Sequence, residues 1–216
     1  MKSYMMLAKL CLVMAGLWVA LQVVWYFIFI TIPSKEIKQI EASHRGLGSD
    51  ILLKKLDSPI IYDPYKFIAV SVLCERKDPK IVPYLIRELK SWSRDRRRAA
   101  MLELGKIGDE RAIEALVKIA KSKPINYSLS EDIIVPDNIR ALEALSKLKY
   151  PPAYNYAIEM ANSNRYRANG VLMLEYLEDT KAIPLLKKIA QDDPEDYIRH
   201  NAQRAIDKIE VAQFQE

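Results

Sequence analysis

One pattern recurs along the chain and leaves few folds open to it. Leu73, Leu104, Leu145, Leu174 and Ile206 follow one another at 31, 41, 29 and 32 residues, each within apolar residues spaced three and four apart. A second set, Leu53, Leu85, Leu116, Ala157 and Leu186, interleaves with the first. Spacings of three and four put a stripe on one side of a helix, and nothing after Pro33 alternates with the period of two that a half-buried strand needs. A helix pair of about thirty residues cannot bury such stripes alone, so its copies stack. The expected fold class is all-α, an α-solenoid of about four to five helix pairs.

Residues 97–120 are the clearest unit. Ala100, Leu104 and Ile107 make the stripe of a first helix, and Ala112, Ile113, Leu116 and Ile119 that of a second. Between them Gly108 suits a left-handed C-terminal cap, and Asp109 can accept from the orphan N–H groups that open the next helix. Asp78 and Asp179 take the place of Asp109 in other units, while the third unit has Tyr150 there. The segment 52–56 (Leu-Leu-Lys-Lys-Leu) echoes 185–189 (Leu-Leu-Lys-Lys-Ile). The 41-residue spacing marks an insertion at 121–136, rich in Ser, Pro and acidic residues, which reads as a surface loop.

The motif R-x-x-A-x-x-x-L-x-x-I-G-D-x-x-A-I-x-x-L and its spacing resemble the HEAT repeat superfamily, in particular the short HEAT-like repeats of the phycobilisome-lyase type. Arg97-x-x-Ala100, Arg167-x-x-Gly170 and Arg199-x-x-Ala202 match the start of that family's first helix, and Pro83 and Pro184 its second-helix proline. The likeness runs over about residues 34–212. It implies an α-solenoid whose second helices line a concave face, and it does not imply a lyase.

Before the repeats, Leu10–Ile32 is an uncharged apolar run of 23 residues, interrupted by Gln22 and Thr31. As a helix it would reach about 34 Å, enough to cross a hydrocarbon core of about 30 Å. The run is too long for a signal-peptide core and ends in bulky Phe29, Ile30 and Ile32, so an uncleaved single-pass anchor is expected. Lys2 and Lys9 before it nearly balance Lys35, Lys38 and Arg45 after it, and the short leading tail favours an extracytoplasmic side for the domain. The expected organisation is a tail at 1–9, a transmembrane helix at 10–32 and a juxtamembrane helix or linker at 33–48. A repeat domain follows at 49–212, then a tail at 213–216.

Charge narrows the partners. Residues 1–120 hold 20 basic and 13 acidic side chains, whereas 121–216 hold 13 and 15. The excess is densest at Arg94, Arg96 and Arg98; Arg97 belongs to the repeat pattern and should pair with a turn aspartate such as Asp78 or Asp109. With the second-helix cations Arg87, Lys90, Lys118, Lys121, Lys187 and Lys188 they form the candidate partner-binding set, suited to an acidic protein surface or to anionic lipid headgroups. Nucleic acid is not expected of so nearly balanced a domain. Tyr150, Tyr154, Tyr156, Tyr166 and Tyr176 gather in the third and fourth units, as contact residues or as filler of a degenerate core.

For catalysis the inventory is thin. His44 and His200 belong to no metal-binding spacing, Gly46-Leu47-Gly48 lacks the third glycine of a dinucleotide site, and Cys74 stands where another repeat has Gly105, a place for a small packed residue. No catalytic residue, metal or cofactor is expected. The reading is a membrane-anchored, non-enzymatic interaction scaffold or assembly factor. The alternatives are a bilin-lyase-like chromophore-handling protein and a structural subunit of a membrane complex.

Overall fold

The structure is a computed structural model that describes residues 34–57, 64–122 and 135–213. Among them every regular element is helical: α1 (Ser34–Arg45), α2 (Ser49–Leu56), α3 (Pro64–Glu75), α4 (Val82–Glu88), α5 (Arg94–Ile107), α6 (Ile113–Ala120), α7 (Asp137–Lys147), α8 (Ala153–Ala161), α9 (Arg167–Leu177), α10 (Ile183–Asp192) and α11 (Asp196–Gln213). Short 3-10 turns at Pro79–Ile81, Glu110–Ala112 and Thr180–Ala182 lead into α4, α6 and α10. The chain forms two compact units, one through Val72 and one from Leu73 to Glu216.

In the second unit the helices lie in two layers. First helices α5, α7, α9 and α11 touch in series, and second helices α4, α6, α8 and α10 each pack on the first helix of the following pair. The repeating leucines make this core: Leu73, Leu104, Leu145, Leu174 and Ile206 are at most 3% exposed, and so are Leu85, Leu116, Ala157 and Leu186. One turn before each first-helix anchor sits a small residue, Ala69, Ala100, Ala141, Gly170 or Ala202, which lets helices approach closely.

The joint within each pair is built alike. The residue that ends the first helix is left-handed at Lys77, Gly108, Lys149 and Glu178, with φ of 51°, 80°, 55° and 56°. The next residue, Asp78, Asp109 or Asp179, accepts from the N–H two positions on at 2.9 Å. Tyr150 has no carboxylate to do this, yet its N–H reaches the Leu145 carbonyl at 3.0 Å just as that of Asp78 reaches Leu73. The turn is therefore a backbone device, closed by the 6→1 bond of a Schellman end at these two joints and by the 5→1 bond of an αL end, from Gly108 to Leu104 and from Glu178 to Leu174, at the other two, which side-chain capping only reinforces.

The first unit shifts one assignment made from sequence. In α2 the fully buried residues are Leu52 and Leu56, while Leu53 is only half-buried. Leu56, three residues on, is thus the anchor, and the residue twelve before it is His44, the same interval that separates Leu73 from Leu85 and Leu104 from Leu116. Helix α1 thereby holds the register of a repeat's first helix, with a histidine at the leucine position. His44 is 4% exposed; its Nδ1 lies 2.8 Å from the Ile40 carbonyl, its ring stacks on Tyr65 at 5.9 Å, and its Nε2 is buried without a hydrogen bond.

The membrane reading is corrected. Among the described residues no helix is long and apolar enough to cross a bilayer; the longest, α11, has 18 residues and carries charges along its length. The single-pass localisation, the extracytoplasmic side and the membrane and lipid-headgroup partners drawn from the sequence therefore have no support in the structure. Leu10–Ile32, on which they rested, lies outside the described residues, as do 123–134 of the inserted loop.

Candidate functional site

The predicted second-helix cations fall into a register. Arg87, Lys118 and Lys188 each stand two residues after the buried Leu85, Leu116 and Leu186, while Lys90 and Lys121 stand five after. All five are exposed, and so is Lys187. Lys90, Lys118, Lys121, Lys187 and Lys188 form no ion pair with a described residue, and Arg87 lies over the Tyr84 ring at 5.2 Å. Helix α8 breaks the row with Glu159 and Asn162 at the equivalent places.

The arginine run behaves differently. Arg94, Arg96 and Arg98 are half-buried. Arg96 Nε sits 3.0 Å from Glu88, and Arg98 Nη2 donates to the Val135 carbonyl at 2.6 Å. Arg97 pairs with neither Asp78 nor Asp109. Its Nε donates at 2.7 Å to Asp137, the first residue of α7, and its Nη1 donates to the carbonyls of Ser91 and Trp92. Two units later Arg167 repeats the pairing as an ion pair, its Nε 3.0 Å from Asp193, just ahead of α11. The aspartate that receives the arginine thus opens the next first helix, and the family of turn aspartates is left to cap: Asp109 is held below the usual carboxylate range by hydrogen bonds from Arg111.

The paired helices, their αL joints and the two arginine struts, α5 to α7 and α9 to α11, can be set beside known proteins. Residues 52–127 match the family model of HEAT repeats. No curated protein matches the chain. Beyond residue 127 the same spacing of buried positions continues at Leu145, Ala157, Leu174, Leu186 and Ile206.

Other predicted features of the chain sort by burial. Of the gathered tyrosines only Tyr156 is exposed, at 41%; Tyr150, Tyr154, Tyr166 and Tyr176 are half-buried, and the Tyr176 ring carries Lys147 at 4.7 Å and Lys208 at 5.7 Å. His44 and His200 do not come together with other ligand types, and no group of three His, Cys, Asp or Glu among the described residues could hold a metal. Cys74 is 7% exposed, and burial followed by the Glu103 charge pushes its thiol up to about 12 against the smaller pull of Lys106. A thiol so placed is protonated at neutral pH and is a poor nucleophile. Iodoacetamide is accordingly expected to leave Cys74 unmodified in the folded chain and to alkylate it in denaturant, as read by peptide mass mapping. Equal labelling in both states would show that this position is open.

Two features escaped the sequence reading. One is the arginine–aspartate strut, whose partners lie 40 residues apart across the insertion. The other is a cleft between α5 and α7 that takes in Arg98 together with Arg140 and Lys147.

Proposed function

We propose that this chain is a non-enzymatic scaffold or assembly factor whose HEAT repeats bind a protein partner with an acidic surface. HEAT repeats serve widely in protein–protein interaction. The observation that carries the reading is the register of exposed cations at Arg87, Lys90, Lys118, Lys121, Lys187 and Lys188 on the second helices. A repeat places chemically equivalent side chains at regular intervals along one layer, so these charges present a spaced row rather than a scatter. Unpaired surface cations cost little in the free protein and add rate and selectivity when an acidic face approaches.

Arg94, Arg96 and Arg98 belong to this binding set less directly, because Arg96 and Arg98 are engaged within the fold. Reversing the exposed lysines is therefore the clean test. In the full-length tagged protein, K118E/K121E/K187E/K188E is expected to abolish stoichiometric recovery of the partner that co-purifies with the parent chain, with helical content and melting temperature unchanged. Undiminished recovery with the quadruple variant would overturn the assignment of this row.

A further inference from the structure

Between first helices α5 and α7 opens a cleft of ≈ 260 Å³, floored by Ala99, Leu102 and Ala144 and rimmed by Arg98, Arg140, Glu143 and Lys147. Three cations face one carboxylate there, and that carboxylate is spent: Glu143 accepts from Arg140 at 2.8 Å and from Asn169 at 2.6 Å. Arg98 has a single good bond, to the Val135 carbonyl. Its Nε, 3.9 Å from Asp137, is buried without a hydrogen-bond partner. Within the cleft Leu102 remains 47% exposed, an unusual state for a leucine on a packed helix of this stack.

We infer that this cleft docks a segment of a protein partner in which an apolar side chain is flanked by carboxylates. The inference rests on the scaffold reading above and adds a second contact on the opposite set of helices. The apolar side chain covers Leu102, Ala99 and Ala144, and the flanking carboxylates meet Arg140 and Lys147 on one side and the half-buried guanidinium of Arg98 on the other. The cleft's size favours a side-chain anchor over a free ligand, because cavities that enclose whole small molecules run to about 300–1,000 Å³. Electrostatics point the same way. Burial, followed by the charges of Arg94 and Arg140, holds the Arg98 guanidinium below its usual range, and burial pushes the Lys147 ammonium down, so an arriving carboxylate relieves strain among cations already crowded together.

The test uses the full chain and a short fluorescein-labelled peptide of alternating Glu and Leu, read by fluorescence anisotropy at low salt. Binding should weaken at least about tenfold in R140Q/K147Q and by a similar factor in L102E, whose side chain is half-exposed. A peptide with Gln for Glu, and one with Ser for Leu, should each bind at least about tenfold more weakly than the parent. Melting curves identify a variant that has lost its fold, and L102E keeps the test informative if R140Q/K147Q melts early. Unchanged peptide affinity in folded L102E and R140Q/K147Q overturns the proposal. So does full competition by inorganic phosphate with no dependence on Leu102, which makes the cleft a small-anion site, or dimerisation abolished by L102E in sedimentation, which makes the occupant a second copy. If the cleft variants leave the co-purifying partner in place while the lysine reversals remove it, the cleft fails and the scaffold reading stands; loss of neither defeats both.

Discussion

Gly170→Ala is expected to lower the melting transition of the full chain by about 10 °C or more and to cut its soluble yield. A Cβ built on Gly170 would lie 2.1 Å from the Ala161 nitrogen, 2.6 Å from its Cα and 2.7 Å from the Met160 carbonyl carbon. These are backbone atoms at the C-terminal end of α8, with no rotamer to escape into, so α8 and α9 must separate before one methyl group fits. Overpacking against side chains costs about 1–3 kcal/mol; against backbone the cost belongs in the rare class above about 4 kcal/mol. Gly105→Ala is the control. There the added Cβ would meet the Ala144 Cα at 3.1 Å and the flexible Lys147 Cδ at 3.2 Å. The slight crowding is offset by about 1 kcal/mol of helix propensity, so the melting temperature should move little. A Gly170→Ala protein that melts with the parent would show that α8 and α9 do not meet as described.

Asp193→Asn should be the next most damaging change, at about 2–3 kcal/mol, or a drop of roughly 5–10 °C. Its carboxylate is 2% exposed, lies 3.0 Å from Arg167 Nε through Oδ2 and accepts the Glu195 N–H at 3.0 Å through Oδ1. Its backbone carbonyl accepts from Arg199 as well. One residue thus fastens the start of α9 to the start of α11. Exchange for an amide leaves a guanidinium, itself 23% exposed, facing a neutral group in a dry joint. The partial exposure of Arg167 keeps the cost below the about 3–5 kcal/mol of a fully buried pair broken on one side. Asp196→Asn removes a carboxylate of Arg199 that is 91% exposed, and should fall within about 1 kcal/mol of the parent. If Asp193→Asn and Asp196→Asn melt alike in calorimetry, the strut carries no more than a surface pair.

Most of the repeat was legible because its determinants are local. A leucine at helical spacing, a left-handed residue and a capping aspartate each act within a few residues, and Leu104, Gly108 and Asp109 reveal all three in one stretch. The opening pair hid itself for equally local reasons. His44 puts a polar residue where the pattern asks for leucine, and Leu52-Leu53-Lys54-Lys55-Leu56 offers two apolar faces, of which only burial selects the one through Leu56. The partner of Arg97 was misread because two aspartates nearer in sequence were available, while Asp137 comes close only once α5 and α7 are stacked. The cleft had no signal at all. Arg98, Arg140 and Lys147 hold no common position in the repeat and meet only through packing.

Among the described residues, the main contacts of helices α4 to α11 all run between neighbours in the stack. Such an object resembles a leaf spring more than a block. Bending it shears one interface by a small amount and the next by another, so a modest adjustment at each joint sums to a large change in curvature. A stack of this kind can keep the core contacts of each interface while the row of second-helix lysines spreads or closes. The spacing between charges on that row is then a quantity that can change without unfolding any part of the chain.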